Sequence, residues 1–189
     1  MAGHGRVFGL KFTSGGLRPF LKTGVFALTD RVVAAQEIFG SDVLTLAMQI
    51  RRLDDATAMA ARLADFLAQR LPAPDPDALL ATRLVDTILH DAAIGTVEAL
   101  ASESGLGIRA LQRLFKSYVG VSPKWVIRRF RLHELLFRLN SGGPFDGAQI
   151  ALDLGYADQA HLINDFRKLA GCAPTEYLRR VARLKNCRS

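Results

Sequence analysis

Cysteine is scarce in this chain of 189 residues, which carries only Cys172 and Cys187. Two thiols cannot build a disulfide framework or a cysteine-rich zinc site, so a reducing cytoplasm is the expected setting. No run of about 18 or more apolar residues occurs, which excludes a transmembrane helix. The start, Met1 to Phe12, has no apolar stretch behind a basic patch and makes a poor secretory signal. The four histidines show no metal-ligand spacing such as H-E-x-x-H, Gly9 to Gly16 fit no phosphate loop, and there is no G-x-S-x-G elbow or cysteine-centred signature. Enzymatic chemistry, a metal and a cofactor are therefore not expected. What the chain does have is 49% hydrophobic and 23% charged residues, enough to bury a core and to exclude disorder as the dominant state.

Charge is one-sided. Residues 1–95 hold 10 basic and 10 acidic residues, whereas residues 96–189 hold 15 basic and 8 acidic, so the whole net charge of +7 lies in the second half. A basic half beside a neutral half suggests a polyanion-binding module joined to something else. A solvated, soluble surface is the alternative reading.

Along the neutral half, Val7 to Phe12 reads as a short strand, with Ser14-Gly15-Gly16 as a turn. From Asp42 the period becomes helical, with Leu44, Ala47 and Met48 on one face and Arg51 and Arg52 as a polar stop. Asp54 or Asp55 can cap a second helix through Leu71, striped by Met59, Leu63 and Phe66. Pro72 to Asp77 is the clearest break, and a third helix is expected from about Asp77 to Asp91.

Beyond Gly95 the chain repeats itself. Leu100-Ala101 and Gly105 match Ile150-Ala151 and Gly155 at an offset of fifty. Leu111, Phe115 and Gly120-Val121-Ser122-Pro123 match Leu162, Phe166 and Gly171-Cys172-Ala173-Pro174 at an offset of fifty-one. The second turn is thus one residue longer. Between the copies, Pro123 to Leu139 reads as one helix, capped by Ser122 and ended by Asn140 to Pro144.

Each copy has the residues a helix-turn-helix needs. Ala101 and Ala151 allow two short helices to approach closely, and Gly105 and Gly155 supply a left-handed turn. Val97, Leu100, Leu106, Leu111 and Phe115 would close the first core; Ile150, Leu154, Tyr156, Leu162 and Phe166 would close the second. One such pattern is weak; two at matched spacing, each followed by G-x-x-P, are specific. The expected fold is mainly α: two helix-turn-helix units, at about 96–118 and 147–168, joined by a long helix at about 123–139 and preceded by a short β remnant and a helical linker.

Residues 78–184 resemble the DNA-binding domain of the AraC/XylS family of bacterial transcription regulators. The resemblance is carried above all by Leu111 to Lys116, by Gly120 to Pro123 and by Gly155 to Leu162. It implies a DNA-binding domain at 75–189 and, at 1–74, a remnant of a sensor domain with a helical linker. Residues 1–50 look like the tail of that sensor, typically an effector-holding β-barrel. Too little chain is present for a barrel, so a truncated regulator or a reduced relative is expected and effector binding is not carried over. The implied partners are double-stranded DNA and RNA polymerase, with a homodimer through residues 42–91 also open, and no membrane. The implied setting is the bacterial cytoplasm. The resemblance further implies that the second helix of each unit enters the major groove. A connecting helix of about seventeen residues, roughly 25 Å long, could hold two readers about one DNA turn apart.

In the first recognition helix, Ile108 to Tyr118, Leu111, Leu114 and Phe115 face inward, which leaves Arg109, Gln112, Arg113 and Lys116 outward. Arg can bond guanine, and Gln adenine, in a bidentate way. By resemblance Arg109, Gln112 and Arg113 take base-reading positions, while Lys116 would meet a phosphate. In the second, Asp158 to Lys168, Asp158 is the expected cap and the DNA-facing set is Gln159, Ala160, His161, Asn164, Arg167 and Lys168, with Ile163 also outward. Asn164 stands where Arg113 stands in the first copy, and Asp165 would add a negative charge nearby, so the second reader is expected to discriminate less. Arg128, Arg129 and Arg131 are divided between phosphate contact and pairing with Glu98, Glu103 or Glu134, with pairing favoured for Arg131. Trp125 is expected as a core anchor, and His90 and His133 as ordinary helix residues. Cys172 is expected to fill a small apolar space; a redox switch with Cys187 is a remote alternative. Two rival functions stand beside the transcription regulator: a helical interaction module acting on a paralogous regulator, and an enzyme fused to such a domain, which the lack of any cysteine in the neutral half disfavours.

Overall fold

The computed structural model describes residues 8–91, 93–141 and 146–186. These residues are mainly helical, and they fall into two compact units. One comprises residues 1–83 with 112–121, the other residues 84–111 with 122–189. The helices at Pro76–His90 and Ile108–Tyr118 each run through a point where the units divide.

In the first unit the expected strand is not formed: residues 8–13 carry no strand, and Val7 lies outside the described residues. A lone extended segment has no ladder partner for its backbone. The apolar side chains of Phe8, Leu10 and Phe12 instead line a cleft of about 840 Å³ against helices. Two single-turn 3-10 helices, Arg18–Phe20 and Val25–Leu28, follow. Three helices come next: α1 (Ala35–Phe39), α2 (Asp42–Arg51) and α3 (Ala56–Ala68). Gly40 at φ 77° stops α1, and the Asp55 carboxylate accepts from the Ala58 N–H to cap α3. A row of aromatic contacts follows: Phe12 meets Phe20 tilted at 5.7 Å, and Phe20 meets Phe39 (5.7 Å) and Phe39 meets Phe66 (6.2 Å) edge-on.

Helix α2 packs on a different face from the one expected. Leu44 and Met48 are exposed, at 48% and 54%, and Leu46 is buried, with Val43 and Ile50 half-buried. Both stripes have helical spacing; packing against α1 and α3 selected the one through Leu46. In α3 the expected stripe holds, with Met59 and Phe66 buried and Leu63 half-buried.

The second unit is built on α7 (Pro123–Asn140), whose first turn is capped by Ser122 accepting from the Trp125 N–H at 3.2 Å. Eighteen helical residues span about 27 Å. Leu132, Leu135 and Leu139 of this helix close a core with Ile150, Ala151, Leu154, Tyr156, Leu162 and Phe166. Those residues come from α8 (Gly147–Asp153), the turn after it and α9 (Gln159–Ala170). Tyr177 of α10 (Pro174–Asn186) closes on Phe166 edge-on at 5.8 Å. Ahead of α7 lie α4 (Pro76–His90), α5 (Val97–Ser104) and α6 (Ile108–Tyr118). Gly142, Gly143 and Pro144, expected to end the connecting helix, lie outside the described residues, as does Cys187.

Candidate nucleic-acid interface

Each copy of the repeat places a glycine in the left-handed region between its two helices: Gly105 and Gly155 both stand at φ 67°. The Thr96 hydroxyl caps α5 by accepting from the Ala99 N–H at 3.1 Å, and Asp146 caps α8 by accepting from Ala148 and Gln149 at 3.0 Å. The second turn differs from the first in its cap as well as in its extra residue, Ala157. Asp158 accepts from the His161 N–H at 2.7 Å, whereas Gly107, at the matching place before α6, has no side chain to offer. Leu100, Leu111 and Phe115 are fully buried, as are Leu162 and Phe166, while Val97 and Leu106 are half-buried.

The ten candidate contact residues are all exposed. Arg109, Gln112, Arg113 and Lys116 stand at helical spacing on one stripe of α6, opposite the buried Leu111, Leu114 and Phe115. Gln159, Ala160, His161, Asn164, Arg167 and Lys168 lie along the outer side of α9. Ile163, expected outward, is half-buried. The His161 ring packs edge-on against Tyr156 at 5.5 Å.

Within the first unit the far end of α6 is held from behind. Arg18 donates to the Ser117 hydroxyl at 3.4 Å and lies over the Tyr118 ring, and the Thr29 hydroxyl donates to the Gly120 carbonyl at 2.8 Å. The Tyr118 hydroxyl donates to Asp75 at 3.0 Å, and burial together with that carboxylate raises its pKa above the ordinary value. The Lys116 ammonium lies 4.8 Å from the centroid of the Phe26 ring, a neighbour the sequence pattern did not signal.

Several expectations are corrected in the second unit. Asp165 adds no charge to the outer face of α9. It is only 4% exposed, and both of its oxygens accept from Arg128, at 2.9 and 2.5 Å. Arg128 therefore pairs with Asp165 rather than with Glu98, Glu103 or Glu134. Arg131 does find a structural partner, but that partner is the Gly95 carbonyl, with its guanidinium stacked 5.2 Å over the Tyr156 ring. Burial pulls the Arg131 pKa below its ordinary value. Glu134 belongs instead to Arg138, which also reaches Asp153 at 2.7 Å. Trp125 is no core anchor: it is 52% exposed, because the first turn of α7 buries Pro123 and Val126 and turns residue 125 away. Cys172 is buried, as expected. His90 is an ordinary helix residue bonded to its own turn at Asp86. Among the described residues no group of His, Cys, Asp and Glu could hold a metal ion, and no helix is long and apolar enough to cross a membrane.

Residues 100–180 match the model of a family of helix-turn-helix domains. The chain is 36% identical over 87 residues to the putative HTH-type transcriptional regulator YkgA of Escherichia coli K12, covering 45% of this chain and 35% of that protein. It is 31% identical over 134 residues to the regulatory protein HrpB of Ralstonia nicotianae, covering 70% of this chain and 27% of that one. The chain thus spans about a third or less of the length of these curated relatives. A solved DNA-binding transcriptional dual regulator from Escherichia coli K-12 aligns over 54% of this chain and 91% of its own, at 26% identity and a TM-score of 0.47. Residues 100–180 are accordingly a helix-turn-helix domain.

Proposed function

We propose that the chain is a sequence-specific DNA-binding regulator of transcription that inserts α6 and α9 into successive major-groove segments. The observation that carries this reading is the pair of exposed polar stripes on helices whose other sides are buried: Arg109, Gln112, Arg113 and Lys116 on α6, and Gln159, Ala160, His161, Asn164, Arg167 and Lys168 on α9. Arg and Gln on the first stripe suit guanine and adenine edges, and Asn164 suits adenine. The basic excess of residues 96–189 supplies phosphate neutralisation and counterion release. Residues 75–189 form the DNA-binding part and residues 1–74 a linker and remnant sensor. The setting is the bacterial cytoplasm, and regulation proceeds through RNA polymerase or by occlusion of a promoter.

Selection from a randomised duplex by the purified chain tests this, with the affinity of the winner measured at several salt concentrations. Two short enriched elements about one helical turn, ~34 Å, apart are expected. Steep salt dependence with no enrichment would leave only the electrostatic term and overturn the reading.

A second reading has one observation of its own. Leu44 and Met48 form an exposed apolar stripe on α2, which suits a homodimer through residues 42–91 or a mixed dimer with a paralogous regulator. Sedimentation of the purified chain decides it: a Leu44→Asp, Met48→Asp variant that leaves the molecular mass unchanged rejects this face as the interface.

A further inference from the structure

Arg131 occupies an unusual place. It sits in the middle of α7, half-buried, and its guanidinium meets a backbone carbonyl just ahead of the first copy of the repeat and an aromatic ring in the second. On one side it donates to the carbonyl of Gly95, just ahead of the Thr96 cap of α5. On the other it lies over the ring of Tyr156, which follows the turn glycine of the second copy. Both sides are shaped for it. A Cβ at Gly95 would stand 2.5 Å from the Arg131 guanidinium, and a Cβ at Gly155 would stand 3.0 Å from it. One helical turn earlier, Arg128 holds Asp165 on the inner face of α9. Gly95, α5, α7, Tyr156 and α9 all belong to the second unit.

We propose that Arg131 is a positioning residue that sets the spacing at which the two helix-turn-helix motifs accept their DNA elements. It ties the start of the first motif to the turn of the second through a single planar cation. Apolar packing along α7 tolerates sliding and rotation, because dispersion contacts are many, small and weakly directional. A guanidinium held by a carbonyl and a ring face has a narrow geometry instead. Turning one motif about α7 relative to the other breaks one of its two contacts. Arg131 touches no base in this reading; it acts through the placement of α5 and α9. The inference rests on the two-element reading proposed above.

The test uses the full chain and duplexes in which the two selected elements are separated by a spacer varied base pair by base pair. Three variants are compared with the original chain. Arg131→Met keeps length and ring contact but removes the donor. Arg131→Lys returns a donor without the planar fork. Gly95→Ala leaves Arg131 intact and displaces its guanidinium from the other side. The original chain is expected to bind best at one spacer. Arg131→Met and Gly95→Ala are expected to flatten that preference by at least about fivefold while changing affinity for the isolated second element by less than about twofold, a size in keeping with the loss of one charge-assisted hydrogen bond. Arg131→Lys should recover part of the preference. An undiminished spacer preference in Arg131→Met and Gly95→Ala overturns the proposal. So does an equal loss of affinity for each isolated element together with a lowered melting temperature, which would make Arg131 a stabilising residue only. If the original chain enriches no paired elements, the DNA-reading proposal itself falls and this inference with it.

Discussion

Asp165 and Arg128 form a two-point ion pair across thirty-seven residues, with the carboxylate 4% exposed and the guanidinium side chain 40% exposed. The partners are unequal in what each leaves behind. Arg128→Met strands a buried carboxylate and is expected to cost roughly 2–4 kcal/mol, below the full cost of breaking a buried pair because solvent already reaches the arginine. Asp165→Asn leaves a cation that can swing into water and is expected to cost only about 1 kcal/mol. Denaturant unfolding of both variants and of the double variant measures the difference. Equal costs for the two single changes would contradict this account.

Arg113 and Asn164 occupy matching exposed places on α6 and α9. Arg carries charge and a bidentate fork, while Asn has a shorter reach and no charge. The hypothesis that the first motif carries most of the discrimination predicts that Arg113→Ala costs about 1–3 kcal/mol of specific affinity and relaxes one element. Asn164→Ala is expected to cost clearly less. Competition binding against selected and scrambled duplexes reads both, and equal losses would reject the hypothesis.

Tyr156 is buried, and among the described residues its hydroxyl has no hydrogen-bond partner. Removing an unsatisfied hydroxyl should not cost stability, so Tyr156→Phe is expected to be neutral or stabilising by up to about 1 kcal/mol at neutral pH. Burial, aided by Asp165 and opposed by Arg131 and Arg128, raises the Tyr156 pKa above its ordinary 10.0. The folded chain then holds the phenol proton more tightly than the unfolded chain. That contribution is complete below about pH 10 and is lost as pH rises through the folded value. The Phe variant should therefore lose less stability in alkali, in part only, because Tyr118 is raised as well. Thermal melts from neutral to strongly alkaline pH give the comparison.

Gly105 and Gly120 share a left-handed backbone but differ in their surroundings. A Cβ at Gly105 (φ 67°) meets open space, and Gly105→Ala is expected to cost only the backbone strain, about 1–2 kcal/mol. A Cβ at Gly120 (φ 89°) stands 3.0 Å from Val25 and 3.1 Å from the Thr29 hydroxyl. Gly120→Ala adds that crowding and is expected to cost about 2–4 kcal/mol. Chemical unfolding of the two variants would contradict this if Gly105→Ala proved the more damaging.

The parts of the fold legible in advance are those set by residues close together in the chain. Asp55 caps α3, Ser122 caps α7, Asp158 caps α9, and the glycines at 105 and 155 turn left-handed, each through its own side chain or the lack of one. The exposure of the ten candidate residues was legible for the same reason, since their outward stripes are the complement of buried positions on the same helix. Phe8 to Phe12 of the expected strand form none because an apolar segment records only which side chains want burial, and here helices supply it. Leu44 and Met48 were misread because α2 carries two apolar stripes and nothing local ranks them. Trp125 was misread because size suggests burial while its helix turns it outward.

Periodicity, capping and the repeat at offsets of fifty and fifty-one were enough, without coordinates, to place helices near residues 77–91, 108–118, 123–139 and 158–168 and to name the exposed side of α6 and, Ile163 apart, of α9. They work because helix registry and end-capping depend on residues within about four positions of one another. Only the tertiary structure chose the partners of the charges. It placed Asp165 on Arg128, and Arg131 on the Gly95 carbonyl and the Tyr156 ring, in preference to Glu98, Glu103 and Glu134. An arginine reaches several candidates from any helix. Which one it meets is decided by how packed helices bring distant backbone and carboxylate groups into its plane, and that depends on the whole core.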